Sequence, residues 1–309
     1  MTLLSVIVCT HNPSTKHFAR TLQALLGQTL APDRWELLLI DNKSKTPLEG
    51  RTDLSWHPHS RIVREETLGL TPARLRGIAE AGGDLLVFVD DDNVLDSDYL
   101  KVAYDIGNER PWLGAWSGQC LGEFEESPPE WTRRYWGNLA IREFDKEVWS
   151  NLPRLPETMP LGAGMVVRRE VARHYLTLNT TGRRAIQFDR TGESLISGGD
   201  NDLAACACAL GLGVGLTPRL KLRHLIAPNR LSVDYLERLA EGISYSSVLL
   251  DFEWGILTPY RTWVGRLADW IRTLRLSQPH RRIAAAAYRG RNQAARELTL
   301  RQIGATKRC

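Results

Sequence analysis

Asp90, Asp91 and Asp92 follow directly on Leu85-Leu86-Val87-Phe88-Val89, so three carboxylates stand at the end of an unbroken apolar run. Such a run predicts a strand buried on both faces, the pattern of a central strand in a parallel sheet. In open α/β sheets ligands bind at the carboxyl ends of strands, and clustered Asp oxygens suit Mg²⁺ or Mn²⁺ holding a phosphate. The same Asp-Asp-Asp-Asn stretch also suits a solvated turn that caps a helix beginning near Asp96. Two further apolar runs end in polar clusters: Leu3 to Thr10 runs into His11-Asn12-Pro13-Ser14, and Trp35 to Ile40 runs into Asp41-Asn42. Parallel strands would bring Thr10, His11, Asn12, Asp41, Asn42 and the three acids to one edge. There Asp41 can accept from a base N–H or a ribose hydroxyl, and Arg74 and Arg76 add cations that can reach phosphate. No Gly-x-Gly-x-x-Gly follows the first strand and no P-loop motif occurs, so dinucleotide and P-loop readings lose their main support.

The elements that must position these residues alternate. A helix from Ser14 to about Gln28 follows the first strand, Arg61-Ile62-Val63 forms a short third one, and Thr71-Pro72 opens a helix that ends at Gly82-Gly83. Strand and helix in turn predict an α/β protein with a Rossmann-like, mostly parallel central sheet and helices on both faces. Beyond Asp96, Trp112–Gln119 is a candidate strand. Residues 123–160, rich in Trp, Pro and charge, read as irregular apart from a short helix at Trp131–Tyr135, and suit a substrate wall. Gly164–Arg168 predicts a strand leading into a helix at Arg169–Tyr175, Thr180–Thr191 a polar loop, and Asp200–Leu210 a helix. Val214–Leu216 and Leu220–Leu222 are short strands before His224.

From Ser232 the reading is helical: Val233–Leu250, Tyr260–Leu276 and about Arg281–Leu300. The middle segment spaces Trp263, Leu267, Trp270, Ile271 and Leu274 by three or four, with Arg261, Arg266, Arg272 and Arg275 between them. That pattern suits a helix lying on an anionic membrane, and equally a stripe packed on the domain or on a second subunit of a homodimer. Over 309 residues the net charge is only +4, so nucleic acid is not an expected partner. Five cysteines, an odd number without a Cys-x-x-Cys pair, argue against a disulfide framework or a structural zinc. No secretory leader or long apolar span stands out, and a cytoplasmic location is expected, with peripheral contact at the inner membrane face through the C-terminal helices.

Six ordered segments together resemble family 2 glycosyltransferases of the GT-A fold. They are Ser5–Asn12, Leu39–Ser44, Gly69-Leu70-Thr71-Pro72-Ala73-Arg74, Val89–Asp92, and the pair Leu161–Arg169 and Gly198–Leu203. The resemblance covers about residues 3–225. It implies residues 1–230 as a GT-A domain, with 1–95 the nucleotide-binding half and 96–230 the acceptor-binding half, and residues 231–309 as a helical extension. It further implies that Asp41 binds the base, that Asp90 and Asp92 are the outer carboxylates of a DxD motif holding ribose and a divalent cation, Mn²⁺ or Mg²⁺, and that Asp200 is the catalytic base. Thr10, His11, Asn12, Asn42, Arg74 and Asp91 complete the implied nucleotide-sugar site; Gly162, Ala163, Gly164 and Gly199 face the acceptor. His224 resembles a late histidine that completes the metal shell with Asp92 in some members, although a histidine there also serves as a structural residue. Two positions depart from the family: Gly199 replaces an acidic residue before the base, and Cys206 stands where many members carry Arg.

The implied activity is inverting, metal-dependent transfer of one sugar from a nucleoside diphosphate sugar, a UDP-sugar foremost, to a hydroxyl on a glycan, lipid-linked or other acceptor, in bacterial-type polysaccharide or glycoconjugate synthesis. The Gln-x-x-Arg-Trp signature of processive synthases is absent. A sugar-1-phosphate nucleotidyltransferase is the enzymatic rival, but His11-Asn12-Pro13-Ser14 offers no triphosphate loop. A non-catalytic nucleotide-sugar-binding subunit is the other rival, against which the acids Asp90, Asp92 and Asp200 argue.

Overall fold

The computed structural model describes residues 4–184, 188, 195–256, 271 and 273–306. Most of the helix expected over Tyr260–Leu276, including Trp263, Leu267, Trp270, Arg261, Arg266 and Arg272, lies outside the described residues, as does much of the loop expected over Thr180–Thr191. The chain divides into two compact units: residues 1–125, 139–187 and 199–226 form the first, and 126–138, 188–198 and 227–309 the second.

The first unit is built on a mixed sheet of nine strands. In chain order these are β1 (Leu4–Thr10), β2 (Trp35–Asn42), β3 (Ser60–Glu65), β4 (Leu85–Asp90), β5 (Asn93–Leu95), β6 (Leu113–Phe124), β7 (Val148–Ser150), β8 (Val166–Arg168) and β9 (Gly213–Ile226). Their spatial order is β3-β2-β1-β4-β8-β6-β9-β5, with β7 also on β9. The β3-β2-β1-β4 half is parallel throughout; β8 runs antiparallel between β4 and β6, and β6 pairs parallel with β9. Helices α1 (Thr15–Leu26), α2 (Leu70–Glu80), α3 (Tyr99–Glu109), α4 (Arg169–Thr180) and α5 (Gly199–Ala209) complete the unit.

β1 and β2 are buried at every position because both faces are covered. Val6, Val8, Leu37 and Leu39 pack with Phe18 and Leu25 of α1 and with Leu100 and Ile106 of α3. The alternate residues Ile7 and Ile40 turn to α2, which approaches so closely that a Cβ on Gly77 would lie 2.5 Å from the Ile7 side chain. Each fully buried Leu or Ile in these strands contributes about 1.5–3 kcal/mol, which is what fixes the register that the site depends on.

His57, in the β2–β3 connection, lies against Trp35 at 4.0 Å between ring centroids. Its Nδ1 accepts from the His59 N–H at 3.2 Å, while its Nε2 is buried without a partner. Burial, reinforced by the neighbouring His59, lowers its pKa to about 4. The neutral ring is therefore favoured by folding, and its contribution is complete above the ordinary histidine value near 6.5 and is lost as pH falls toward 4. The melting temperature is expected to drop between those two pH values, and His57→Gln to flatten that drop; parallel curves for the two proteins would count against His57 as the group responsible.

The second unit is helical. α6 (Val233–Glu253) and α7 (His280–Thr306) run parallel, because their ion pairs climb together: Arg282 reaches Asp234 and Glu237, and Arg289 reaches Glu237 and Glu241. A Cβ on Gly290 would lie 2.2 Å from the Glu241 carbonyl oxygen, so glycine there permits the close approach. Among the described residues no helix is long and apolar enough to cross a membrane.

Candidate active site

Register brings the polar strand ends together. Thr10 stands opposite Asp41 and Cys9 opposite Asp90, so β1, β2 and β4 finish at one edge. The Thr10 hydroxyl donates to the Asp91 carboxylate, tying β1 to the acidic turn. Asn93 supports that turn from inside: its side-chain oxygen accepts from the Asp90 N–H at 3.2 Å and its amide donates to Asp92 Oδ1 at 3.1 Å.

The turn does not cap a helix directly. Asn93–Leu95 forms β5 and α3 starts only at Tyr99. β5 pairs antiparallel with β9 so that Asn93 faces His224, which sets His224 beside Asp92 across the ladder. His224 Nδ1 donates to the Leu139 carbonyl at 2.9 Å, leaving Nε2 directed at Asp92 Oδ2 at 3.2 Å. A backbone carbonyl that fixes the tautomer in this way is the usual outer partner of a metal-binding histidine. An oxygen and a nitrogen so arranged fit a divalent cation. Among the described residues no group of three or more His, Cys, Asp or Glu side chains could hold one, so a bound ion would need further oxygens from a ligand or water.

Asp41 and Asn42 have local duties that the sequence does not reveal. Asp41 is 1% exposed, its Oδ1 accepts from the Ser44 N–H at 3.0 Å, and its Oδ2 accepts from the Leu48 N–H at 3.0 Å and from Arg64 at 2.8 Å. Burial raises its pKa, but these hydrogen bonds outweigh it and hold the carboxyl below the usual range. Asn42 accepts from the Gly69 N–H at 2.8 Å and donates to the Thr67 carbonyl at 2.7 Å, pinning the entry to α2. His11 Nδ1 donates to the Asn42 carbonyl at 2.7 Å. Asn12, in the left-handed region at φ 50°, accepts from the Lys45 N–H at 2.8 Å. These residues line the carboxyl edge of the parallel strands, where His11 and Asn12 are exposed.

The other candidate residues come from the segment before β8 and from α5. Met165 accepts from the Phe88 N–H at 2.9 Å, which lays Gly162, Ala163 and Gly164 alongside the end of β4. Gly164 has φ 70°, and the Tyr99 hydroxyl donates to its carbonyl at 2.7 Å. Asp200, in the first turn of α5, accepts at Oδ2 from the Gly162 N–H at 3.0 Å and at Oδ1 from the Asn201 N–H at 2.9 Å. A Cβ on Gly162 would sit 3.0 Å from Asp200 Oδ2 and 3.1 Å from Arg74 Nη2. The Arg74 guanidinium and the Asp200 carboxylate thus border the same small space, and Arg74 is only 4% exposed. Gly199 is buried just before Asp200.

Arg184 is a residue sequence reasoning missed. It lies in the polar segment read as a loop, yet its guanidinium pairs at 2.8 Å with Asp202, which is itself buried in α5. Cys206 donates to the Asp202 carbonyl at 3.3 Å, and burial pushes its thiol well above the ordinary cysteine value. The cation near this turn of α5 therefore comes from Arg184, while residue 206 is an inert thiol.

A mostly parallel sheet with acids at its strand ends, joined by the antiparallel strands β5, β7 and β8 and flanked by helices, is an α/β architecture in which ligands commonly bind at the carboxyl edge of the strands. Solved structures share it. The chain is similar to S. aureus TarS 1–349 in complex with UDP-GlcNAc, with a TM-score of 0.55 and 18% identity over 88% of this chain and 71% of that one. It is likewise similar to TarS 1–349 in complex with UDP, with a TM-score of 0.52 and 18% identity over 90% and 76% of the two chains. The model of Glycosyl transferase family 2 matches residues 5–175, and the chain belongs to that family. Among curated proteins it is 23% identical over 130 residues to a glucosyl-dolichyl phosphate glucuronosyltransferase of Haloferax volcanii, covering 41% of each chain. It is 30% identical over 94 residues to polypeptide N-acetylgalactosaminyltransferase 11 of Xenopus tropicalis. The chain spans less than half the length of either relative: 41% of the first and 16% of the second.

Proposed function

We propose that this protein is an inverting glycosyltransferase that moves one sugar from a UDP-sugar to a hydroxyl on a glycan or lipid-linked acceptor, in bacterial-type polysaccharide or glycoconjugate synthesis. The observation that carries the reading is the Asp200 carboxylate, held by the Gly162 N–H beside buried Arg74, on the same sheet edge as Asp90, Asp91 and Asp92. Residues 1–95 supply the donor side: Asp90 takes the ribose, and Asp41, with Thr10, His11, Asn12 and Asn42, shapes the wall around the base. Residues 96–230 supply the acceptor side, where Gly162, Ala163, Gly164 and Gly199 leave room for an incoming sugar.

In the transfer step the acceptor oxygen attacks the anomeric carbon as the bond from that carbon to the diphosphate oxygen breaks, and the electron pair leaves with the diphosphate. Asp200 accepts the hydroxyl proton from the face opposite the leaving group, which inverts the anomeric centre. Arg74 adds positive charge where the leaving group gains negative charge. Asp92 and His224 would hold Mn²⁺ or Mg²⁺, whose chemistry is to neutralise charge on the diphosphate.

A panel of nucleotide sugars, each with Mn²⁺ or with EDTA, tests the reading by thermal protection and by release of nucleoside diphosphate. A donor at about 100 times its Kd stabilises by roughly 2.7 kcal/mol, an easily measured rise in melting temperature. A UDP-sugar is expected to protect and to be turned over. If no nucleotide sugar protects or is consumed, the reading fails.

A further inference from the structure

The second unit has a cavity of its own, of ≈ 270 Å³, between α6, α7 and the short helical segment Glu130–Leu139. Arg134, His280 and Arg291 stand on its lining together with the apolar Ile243, Leu276 and Ile283. Among the described lining residues none is acidic. We propose that this cavity binds an anionic amphiphile: a phosphate head held by Arg134, His280 and Arg291, with an aliphatic chain laid along Ile243, Leu276 and Ile283.

Helix geometry explains the charge separation. On α7, His280, Ile283, Ala287 and Arg291 recur at spacings of three and four and so share the face that borders the cavity. Arg282 and Arg289 point elsewhere and are paired with Asp234, Glu237 and Glu241. Asp234, Glu237 and Glu241 of α6 are therefore engaged by Arg282 and Arg289, and none of the three is on the described lining of the cavity. Ligand pockets are mostly apolar with a few convergent polar groups, and guanidinium forks match phosphate oxygens.

Tyr135 and His280 add a donor whichever way their proton lies. The Tyr135 hydroxyl and His280 Nδ1 are 2.7 Å apart. If the hydroxyl donates, His280 carries its proton on Nε2; if Nδ1 donates, the Tyr135 hydroxyl hydrogen is left over. Burial raises the Tyr135 phenol, against a smaller opposing pull from Arg134, so it stays protonated. Arg134 lies over the Tyr135 ring, with Cζ 5.6 Å from its centroid, which holds the guanidinium near the cavity mouth.

Calorimetry on the full chain with hexyl phosphate, inorganic phosphate and hexanol tests the proposal, each ligand kept below any aggregation threshold. Hexyl phosphate is expected to bind with one site per chain, at least about tenfold more tightly than either half alone, and UDP added first should leave that site count unchanged. Arg134→Gln, on the surface, is expected to weaken hexyl phosphate about tenfold without lowering the melting temperature, and Ile243→Asp to weaken it comparably. Equal binding of hexanol would make the cavity a mere apolar hole, and equal binding of inorganic phosphate a mere anion site; either result overturns the proposal. Loss of the site on adding UDP, or unchanged affinity in Arg134→Gln, overturns it as well. Donor binding in the first unit is measured separately, so failure here leaves the glycosyltransferase reading standing.

Discussion

Asp200→Asn is expected to lower sugar transfer by about 10²–10⁴, the range that general-base catalysis supplies, with donor affinity nearly unchanged because the proposed nucleotide contacts lie on β1, β2 and β4. The substitution keeps the size of the side chain. It removes proton acceptance, and it also breaks the symmetry of the present hydrogen bonds. The carboxylate accepts from the Gly162 N–H on one oxygen and from the Asn201 N–H on the other, whereas an amide can satisfy only one of these donors. That loss is worth about 1 kcal/mol of stability, too little to unfold the protein. If Asp200 merely caps α5, Asn would serve as well as Asp and transfer would persist. Gly162→Ala is an independent probe of the same space: its methyl would press on both Asp200 and Arg74, so turnover should fall although no ionisable group is altered. A well-folded Asp200→Asn protein with near-normal transfer would sink the assignment.

The central strands were legible because their burial is local. β1, β2 and β4 are short apolar runs closed by polar residues, and any parallel pairing of them places Thr10, Asp41 and Asp90 at one edge. β5 was not legible. Its residues Asn93–Leu95 have no strand pattern of their own and are extended only because β9 pairs with them from a distant part of the sequence. β9 itself reads as two strands, since Thr217-Pro218 interrupts the apolar pattern. In the fold it is continuous from Gly213 to Ile226, and β6 absorbs the irregularity between Ser117 and Gln119. Gly118 makes this possible, because a Cβ there would lie 2.0 Å from the Leu220 carbonyl oxygen.

The candidate site divides along the same line. Carboxylates at strand ends announce themselves, but what a carboxylate does depends on donors contributed from elsewhere. Asp41 is consumed largely by the loop it folds, through Ser44, Leu48 and Arg64. Nothing in the polar composition around Arg184 signals that its guanidinium will be buried against Asp202. The second unit gathers residues 126–138, 188–198 and 227–309, three segments far apart in sequence, so the short helix legible at Trp131–Tyr135 belongs with helices that follow it by a hundred residues. Periodicity reports which face of a segment is buried; it does not report what buries it.

Removing the imidazole at residue 224 is expected to uncouple donor binding from divalent cations. His224 Nδ1 is committed to the Leu139 carbonyl, so Nε2 is the ring nitrogen that faces the Asp92 carboxylate. A divalent cation placed between Nε2 and Oδ2, which lie 3.2 Å apart, would take a ligand from each side chain. His224→Phe keeps the ring and much of the buried volume, and Asp92→Asn keeps shape at the second position. Both should weaken UDP-sugar binding in Mn²⁺ by about 10–100-fold, the loss that follows even when only an outer partner of a metal site is removed. In EDTA the wild type should fall to the level of the two variants, and the three proteins should then bind alike. A purely structural His224 gives a different pattern: His224→Phe would lower the melting temperature through the lost Leu139 bond while donor affinity stayed the same with and without Mn²⁺. Calorimetric titration of donor in both buffers, paired with melting curves, separates the two outcomes, and a wild-type affinity indifferent to EDTA would remove the cation from the mechanism.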